Sequence, residues 1–123
     1  MKESMKMNKK GTVWVVQDNG RHNYIKASSF GQIKTLLPSR FQVQLDCSEV
    51  IDQMMNCLKD FTEDDFILAT GDPAAIAIAV AAAAMVNNGY VNLLKYDRHS
   101  EIYYNLKMDL GKILFEEEES YHA

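Results

Sequence analysis

Thr12-Val13-Trp14-Val15-Val16-Gln17 is a β-branched and aromatic run between Gly11 and the turn-forming Asp18-Asn19-Gly20. It predicts a buried strand. Tyr24 to Phe30 predicts a short helix ended by Gly31, and Gln32 to Leu37 a second strand stopped by Pro38. Phe41 to Leu45 alternates apolar and polar residues, which suits a short edge strand or an irregular approach to the next helix. That helix begins at Asp46 or Ser48 as cap, with Glu49 in its first turn. Val50, Ile51, Met54, Met55 and Leu58 predict one apolar face on it, and Phe61 closes the packing.

Asp65 to Ala69 is short and almost wholly apolar, as strands at the centre of a parallel sheet are. Thr70-Gly71-Asp72-Pro73 comes next. Asp72 is a good N-cap, and Pro73 suits the first helical position because its missing N–H costs nothing there. The spacing predicts a helix from Pro73 to about Val86, thin because it is mostly alanine, with Asn87-Asn88-Gly89 as its C-terminal stop. Tyr90 to Tyr96 and Glu101 to Leu110 predict two strands joined by Asp97-Arg98-His99-Ser100, a connection short enough for an antiparallel hairpin. In the last strand Ile102, Tyr104, Leu106 and Met108 share one face. Tyr103, Asn105, Lys107 and Asp109 share the other, which is the face expected to be open to contacts.

Strands alternating with helices imply a parallel sheet, and the final strand must then be an antiparallel edge. The fold class expected is α/β: a small mixed, mostly parallel sheet of about four to five strands, helices packed on it, and a C-terminal β-hairpin. The chain has 123 residues, enough for one domain. The expected organisation is a basic tail at 1–10, a single domain at 11–115 and an acidic tail at 116–123.

Charge and composition narrow the function classes. Asp and Glu outnumber Lys and Arg by 17 to 13. Without Glu3 and Glu116 to Glu119, and without Lys2, Lys6, Lys9 and Lys10, the middle holds twelve acidic and nine basic residues, so it is nearly balanced. Basic residues are not gathered on any predicted element, which argues against nucleic acid as a partner. The one long apolar stretch, Ala69 to Val86, contains Asp72 and Pro73 and is built mainly of alanine, which suits a buried helix rather than a membrane span. The N-terminus lacks the apolar segment of a signal peptide. Cys47 and Cys57 lie ten residues apart, near or within one predicted helix. A helical rise of about 1.5 Å per residue keeps them too far apart for a disulfide, so free thiols in a cytoplasmic setting are expected. No metal-ligand spacing and no cofactor motif occurs, so neither is expected.

One candidate site follows from the topology. If the first and third strands are neighbours, their C-terminal ends form a switch point of the kind where open α/β sheets bind ligands. Asp18, Asn19 and Arg21 would meet Thr70, Gly71 and Asp72 there. Helix-start N–H groups and the Arg21 guanidinium suit a phosphate or carboxylate. Asp72 opposes this, since a capping carboxylate occupies the donors an anion would use. Each segment is also explained as ordinary turn and cap chemistry. Asp18 and Asp72 could alternatively serve as acids or bases, or hold a magnesium ion. No nucleophile elbow or zinc-site pattern is present, His99 belongs to a turn, His122 lies by the chain end, and His22 is the sole histidine near the site. No catalytic residues are assigned. In the hairpin, Tyr96, Arg98, Tyr103 and Tyr104 form a candidate protein interface, although aromatic residues also simply suit paired strands.

The stretch 65–73, Asn87-Asn88-Gly89, Leu93-Leu94-Lys95-Tyr96-Asp97-Arg98, Tyr103-Tyr104 and Asp109-Leu110 resembles a family of small uncharacterised accessory proteins of tailed bacteriophages. The opening Val13-Trp14-Val15-Val16-Gln17-Asp18, with Gly31, is similar to the N-terminal part of that family, and the likeness spans most of 12–110. The resemblance implies a viral accessory protein made in a bacterial cytoplasm and implies no known chemistry. The expected function is non-enzymatic, by binding a host or viral protein, for example to inhibit a host enzyme or a defence factor. The alternative is a small-molecule binder sequestering a nucleotide-derived or other anionic ligand at the strand ends. A homodimer through the last strand is a further option.

Overall fold

The computed structural model describes residues 11–20 and 24–115. The expected tails at 1–10 and 116–123, together with Arg21, His22 and His122, lie outside the described residues.

Five strands form one sheet in the order β2-β1-β3-β4-β5. They are β1 (Gly11–Gln17), β2 (Gly31–Leu37), β3 (Phe66–Leu68), β4 (Tyr90–Asp97) and β5 (Ile102–Asp109). The first four run parallel and β5 returns antiparallel to β4, so the mixed α/β architecture is the one expected. β3, only three residues long, is central and apolar, as its sequence required.

The two faces are covered unequally. Helices α1 (Cys47–Cys57) and α2 (Pro73–Val86) pack on the face carrying Val16, Leu36, Ile67 and Val91. The opposite face carries Val13, Val15, Leu68 and Leu94, covered by a single 3-10 turn, η1 (Ile25–Ser29), through Ala27. A second 3-10 turn, η2 (Val43–Leu45), leads into α1, and a four-residue helix α3 (Gly111–Leu114) follows β5. The segment 41–45 therefore contributes no strand. Val43 alone of that turn is buried, so the alternation there reflects one anchoring side chain.

Asp46 is the cap of α1, its Oδ1 accepting from the Glu49 N–H at 3.2 Å. The five-residue stripe expected on α1 is narrower than its sequence suggests. Val50, Met54 and Leu58 are buried, whereas Ile51 and Met55 are exposed. The alanines of α2 do what thin side chains allow. Ala75, Ala79, Ala82, Ala83 and Ala84 are buried, which brings α2 close against the sheet and α1. Gly89 ends α2 at φ +91, and a Cβ there would lie 2.6 Å from the Gly111 nitrogen, so the α2–β4 turn and the β5–α3 turn meet only because Gly89 has no side chain. Cys47 and Cys57 are both free thiols.

Candidate functional site

The switch-point geometry is present. β1 lies between β2 and β3, and the turns that follow β1 and β3 are joined. The Gln17 N–H donates to the Thr70 carbonyl at 3.1 Å, and the Asp72 N–H donates to Gln17 Oε1 at 2.9 Å. The other end of the same carboxamide donates from Nε2 to the carbonyls of Pro38 (3.1 Å) and Phe41 (2.8 Å). Gln17 is the one buried polar side chain among the described residues, and its amide is fully occupied in tying three loops together. The sequence signal was available: a polar residue closing a wholly apolar strand at its C-terminal end.

Above this knot is an open cleft of about 480 Å³ lined by Gln17, Asp18, Asn19, Ser39, Gly71, Asp72 and Arg98. A neighbouring hollow of about 280 Å³ adds Thr70, Lys95 and Tyr96, and shares Asn19 and Arg98. Asp18, Asn19, Thr70, Gly71 and Asp72 thus converge as the topology required. Ser39 and Lys95 were not anticipated. Arg98, assigned from sequence to a candidate protein interface on the hairpin, lines this cleft as well, because the β4–β5 turn overhangs the C-terminal ends of the parallel strands.

The electrostatics of the cleft are mixed. Asp18 Oδ1 accepts from the Gly20 N–H at 2.9 Å and from the Tyr24 hydroxyl at 3.4 Å. Asp72 Oδ1 accepts from the Ala74 N–H at 2.8 Å. Pro73 has no N–H and Ala74 has given its own to Asp72, so the start of α2 is largely spent on its own cap. The cationic contribution of the described residues comes from Arg98 and Lys95. Among the described residues no group of three or more His, Cys, Asp or Glu is placed to hold a metal ion.

The hairpin residues divide between two faces. Tyr96 and Tyr103 are directly paired across β4 and β5, with ring centroids 5.0 Å apart. Tyr103 packs against the smaller core beside Leu94, and burial, followed by the neighbouring Tyr24 and Tyr96, raises its phenol above the ordinary value. Tyr104 lies on the opposite, helix-bearing face. The face expected to be open, that of Tyr103, is therefore the better covered at this position. Ile102, Tyr104 and Leu106 are 47%, 47% and 41% exposed, and only Met108 of that row packs against the main core. The cause is geometric: α2 lies against β1 and β4, and β5 extends past the helical layer.

A second apolar feature on the same side was not foreseen. Between Pro73 and Val86, α2 has no polar side chain, yet Ala74, Ala77, Ala81 and Met85 are exposed. Their spacing of three or four residues makes one stripe along the helix. A surface helix ordinarily presents charged and polar groups to water at these positions. On the same side of the sheet β5 exposes Ile102, Tyr104 and Leu106, and α1 exposes Ile51 and Met55. A hollow of about 240 Å³ lies between Lys95, Asp97, Tyr104 and Leu106 at the hairpin end of this face.

The sequence model of the family described as Phage Pam3 gp32-like protein matches residues 11–110. No curated protein and no solved structure matches. Among the described residues no helix is long and apolar enough to cross a membrane.

Proposed function

Because the chain belongs to the Phage Pam3 gp32-like protein family, we propose that it is a non-enzymatic phage accessory protein that acts by binding a host or viral protein. The binding face is the helix-bearing side of the sheet, centred on α2. The observation that carries this reading is the solvent-facing stripe Ala74, Ala77, Ala81 and Met85 on a helix without a polar side chain. Small side chains leave a shallow, flat track on which a partner's helix or strand can approach the α2 backbone closely, and burying apolar area there supplies the driving force. Ile102, Tyr104 and Leu106 are exposed on the same side of the sheet. Capture of partners from infected cells, with the wild-type chain and with an Ala77→Glu, Ala81→Glu variant, tests it. Partners bound by the wild type and lost by the folded variant support the reading. Equal capture by both removes α2 from it.

A second reading is favoured by the cleft between the β1 and β3 turns. There Asn19, Ser39 and Arg98 offer donors and acceptors to a small polar ligand, and Arg98 with Lys95 supplies positive charge. An anionic ligand would rely on those two cations rather than on the helix start, which Asp72 already caps. Thermal-shift screening with nucleotides and small carboxylates tests this reading. A ligand at about 100 times its dissociation constant adds roughly 2.7 kcal/mol, which a melt resolves.

A further inference from the structure

We infer that the cleft between the β1 and β3 turns is a two-part site for a phosphorylated polyol, either a free sugar phosphate or the ribose phosphate of a nucleotide. Arg98 and Lys95 hold its phosphate, and Asp18 and Ser39 its hydroxyl groups. The inference rests on the reading of that cleft as a small-ligand site and adds which chemistry each end takes.

The two hollows there differ in charge. The smaller, of about 280 Å³, is lined by Thr70, Lys95 and Arg98 among others, and no acidic residue lines it. Asp97 stands between the two cations in sequence. Its Oδ2 accepts from the Ser100 hydroxyl and N–H, which ties that carboxylate into the β4–β5 turn. Both cations are therefore left for an anion. A guanidinium fork together with an ammonium suits the several oxygens of a phosphate monoester.

The larger cleft, of about 480 Å³, has Asp18 and Asp72 in its wall and shares Arg98 with the smaller. Small-molecule sites run from roughly 300 to 1,000 Å³, so a sugar fits. The two carboxylates keep a second anion out of this end. Asp18 spends Oδ1 on the Gly20 N–H and the Tyr24 hydroxyl, and Asp72 spends Oδ1 on the Ala74 N–H. An ionised carboxylate has about four acceptor sites, so Asp18 retains capacity for hydroxyl donors through Oδ2. No aromatic or aliphatic side chain lines this part, so it offers no wall to a flat base or a hydrocarbon chain. A ligand body rich in hydroxyl groups matches it. Arg98 borders both hollows, which places the phosphate and the hydroxyl groups on one molecule spanning them. Gln17, bonded at both ends of its amide, fixes the floor, so little ordering is needed on binding.

The test is calorimetric titration of the full chain with inorganic phosphate, ribose, ribose 5-phosphate and AMP. Ribose 5-phosphate binds about 10-fold or more tighter than inorganic phosphate, and ribose gives no saturable binding over the same range. Arg98→Gln weakens both phosphate and ribose 5-phosphate about 10-fold or more. Asp18→Asn keeps an acceptor for the Gly20 turn and replaces Oδ2 by an amide. It lowers the preference for ribose 5-phosphate over phosphate about 5-fold or more. The lost charge acts on the phosphate of both ligands and cancels in that ratio. Circular dichroism of each variant shows whether the fold is intact. AMP binding tighter than ribose 5-phosphate assigns the source to a nucleotide, and weaker binding assigns it to a free sugar phosphate; both support the inference. Phosphate bound through Arg98 with no preference for ribose 5-phosphate overturns the inference and leaves the small-ligand reading standing. A preference unchanged by Asp18→Asn overturns it too. So does a folded protein that binds none of the four, and the thermal-shift screen then decides the small-ligand reading by itself.

Discussion

Gly71 sits directly on the side chain of Gln17. A Cβ at Gly71 would overlap the Gln17 Cβ and lie 3.0 Å from both its backbone oxygen and Oε1, and Gly71 has φ +103. The two turns of the switch point are joined through this contact, so an alanine meets both backbone strain and a side chain with no room to move. Gly71→Ala is expected to cost about 3 kcal/mol in chemical denaturation.

The Gln17 carboxamide is the other half of the contact. Gln17→Leu keeps the volume but leaves the carbonyls of Pro38 and Phe41 and the N–H of Asp72 without their partner. The expected loss is about 2 kcal/mol. Hydrogen exchange should quicken at Asp72 and the adjacent turn before it does in β3 or β4.

Asp72 distinguishes a structural cap from a ligand group. Asp72→Ala frees the Ala74 N–H and should cost about 1 kcal/mol, whereas Asp72→Asn should cost much less. If an anion binds the cleft, Asp72→Ala tightens it, because a negative charge leaves and a helix-start donor becomes available. Titration of inorganic phosphate followed by NMR shifts at Ala74 and Asn19 reads this directly.

The β4–β5 turn has its own pH signature. The Ser100 hydroxyl, then the backbone N–H groups of Ser100 and His99, hold the Asp97 carboxyl below its ordinary value of 3.8. A carboxylate with a depressed folded value stabilises the turn above the ordinary value, and the contribution is lost as pH falls through the lower folded value. An NMR titration of Asp97 should show the depression, and Ser100→Ala should return it toward the ordinary value.

Much of the architecture was legible because its elements obey local rules. The Asp72-Pro73 start and the Asn88-Gly89 stop bracket α2 unambiguously, and the apolar β3 between two helical segments forces a parallel sheet. The convergence of Asp18 and Asn19 with Gly71 and Asp72 followed from that topology. What the pattern could not give was the reach of each layer. Whether Tyr103 or Tyr104 is the covered side of β5 depends on where α2 ends its contact with the sheet, and periodicity alone carries no such distance. The exposed side of α2 was hidden for a related reason: alanine reads as core filling wherever it stands. Arg98 was assigned to a hairpin surface because its position above the parallel strand ends is a property of the tertiary fold.

The central claim, that the α2 face receives a protein partner, is tested most directly by site-specific photo-cross-linking in infected cells. A photoreactive residue is placed at Ala81, at Tyr104, or at Thr35 on the opposite face of the β2 edge. The expected result is a discrete heavier adduct from positions 81 and 104, distinct in mass from two copies of this chain, and none from position 35. Adducts of equal yield from position 35, or none from position 81 in a folded protein, would contradict the account.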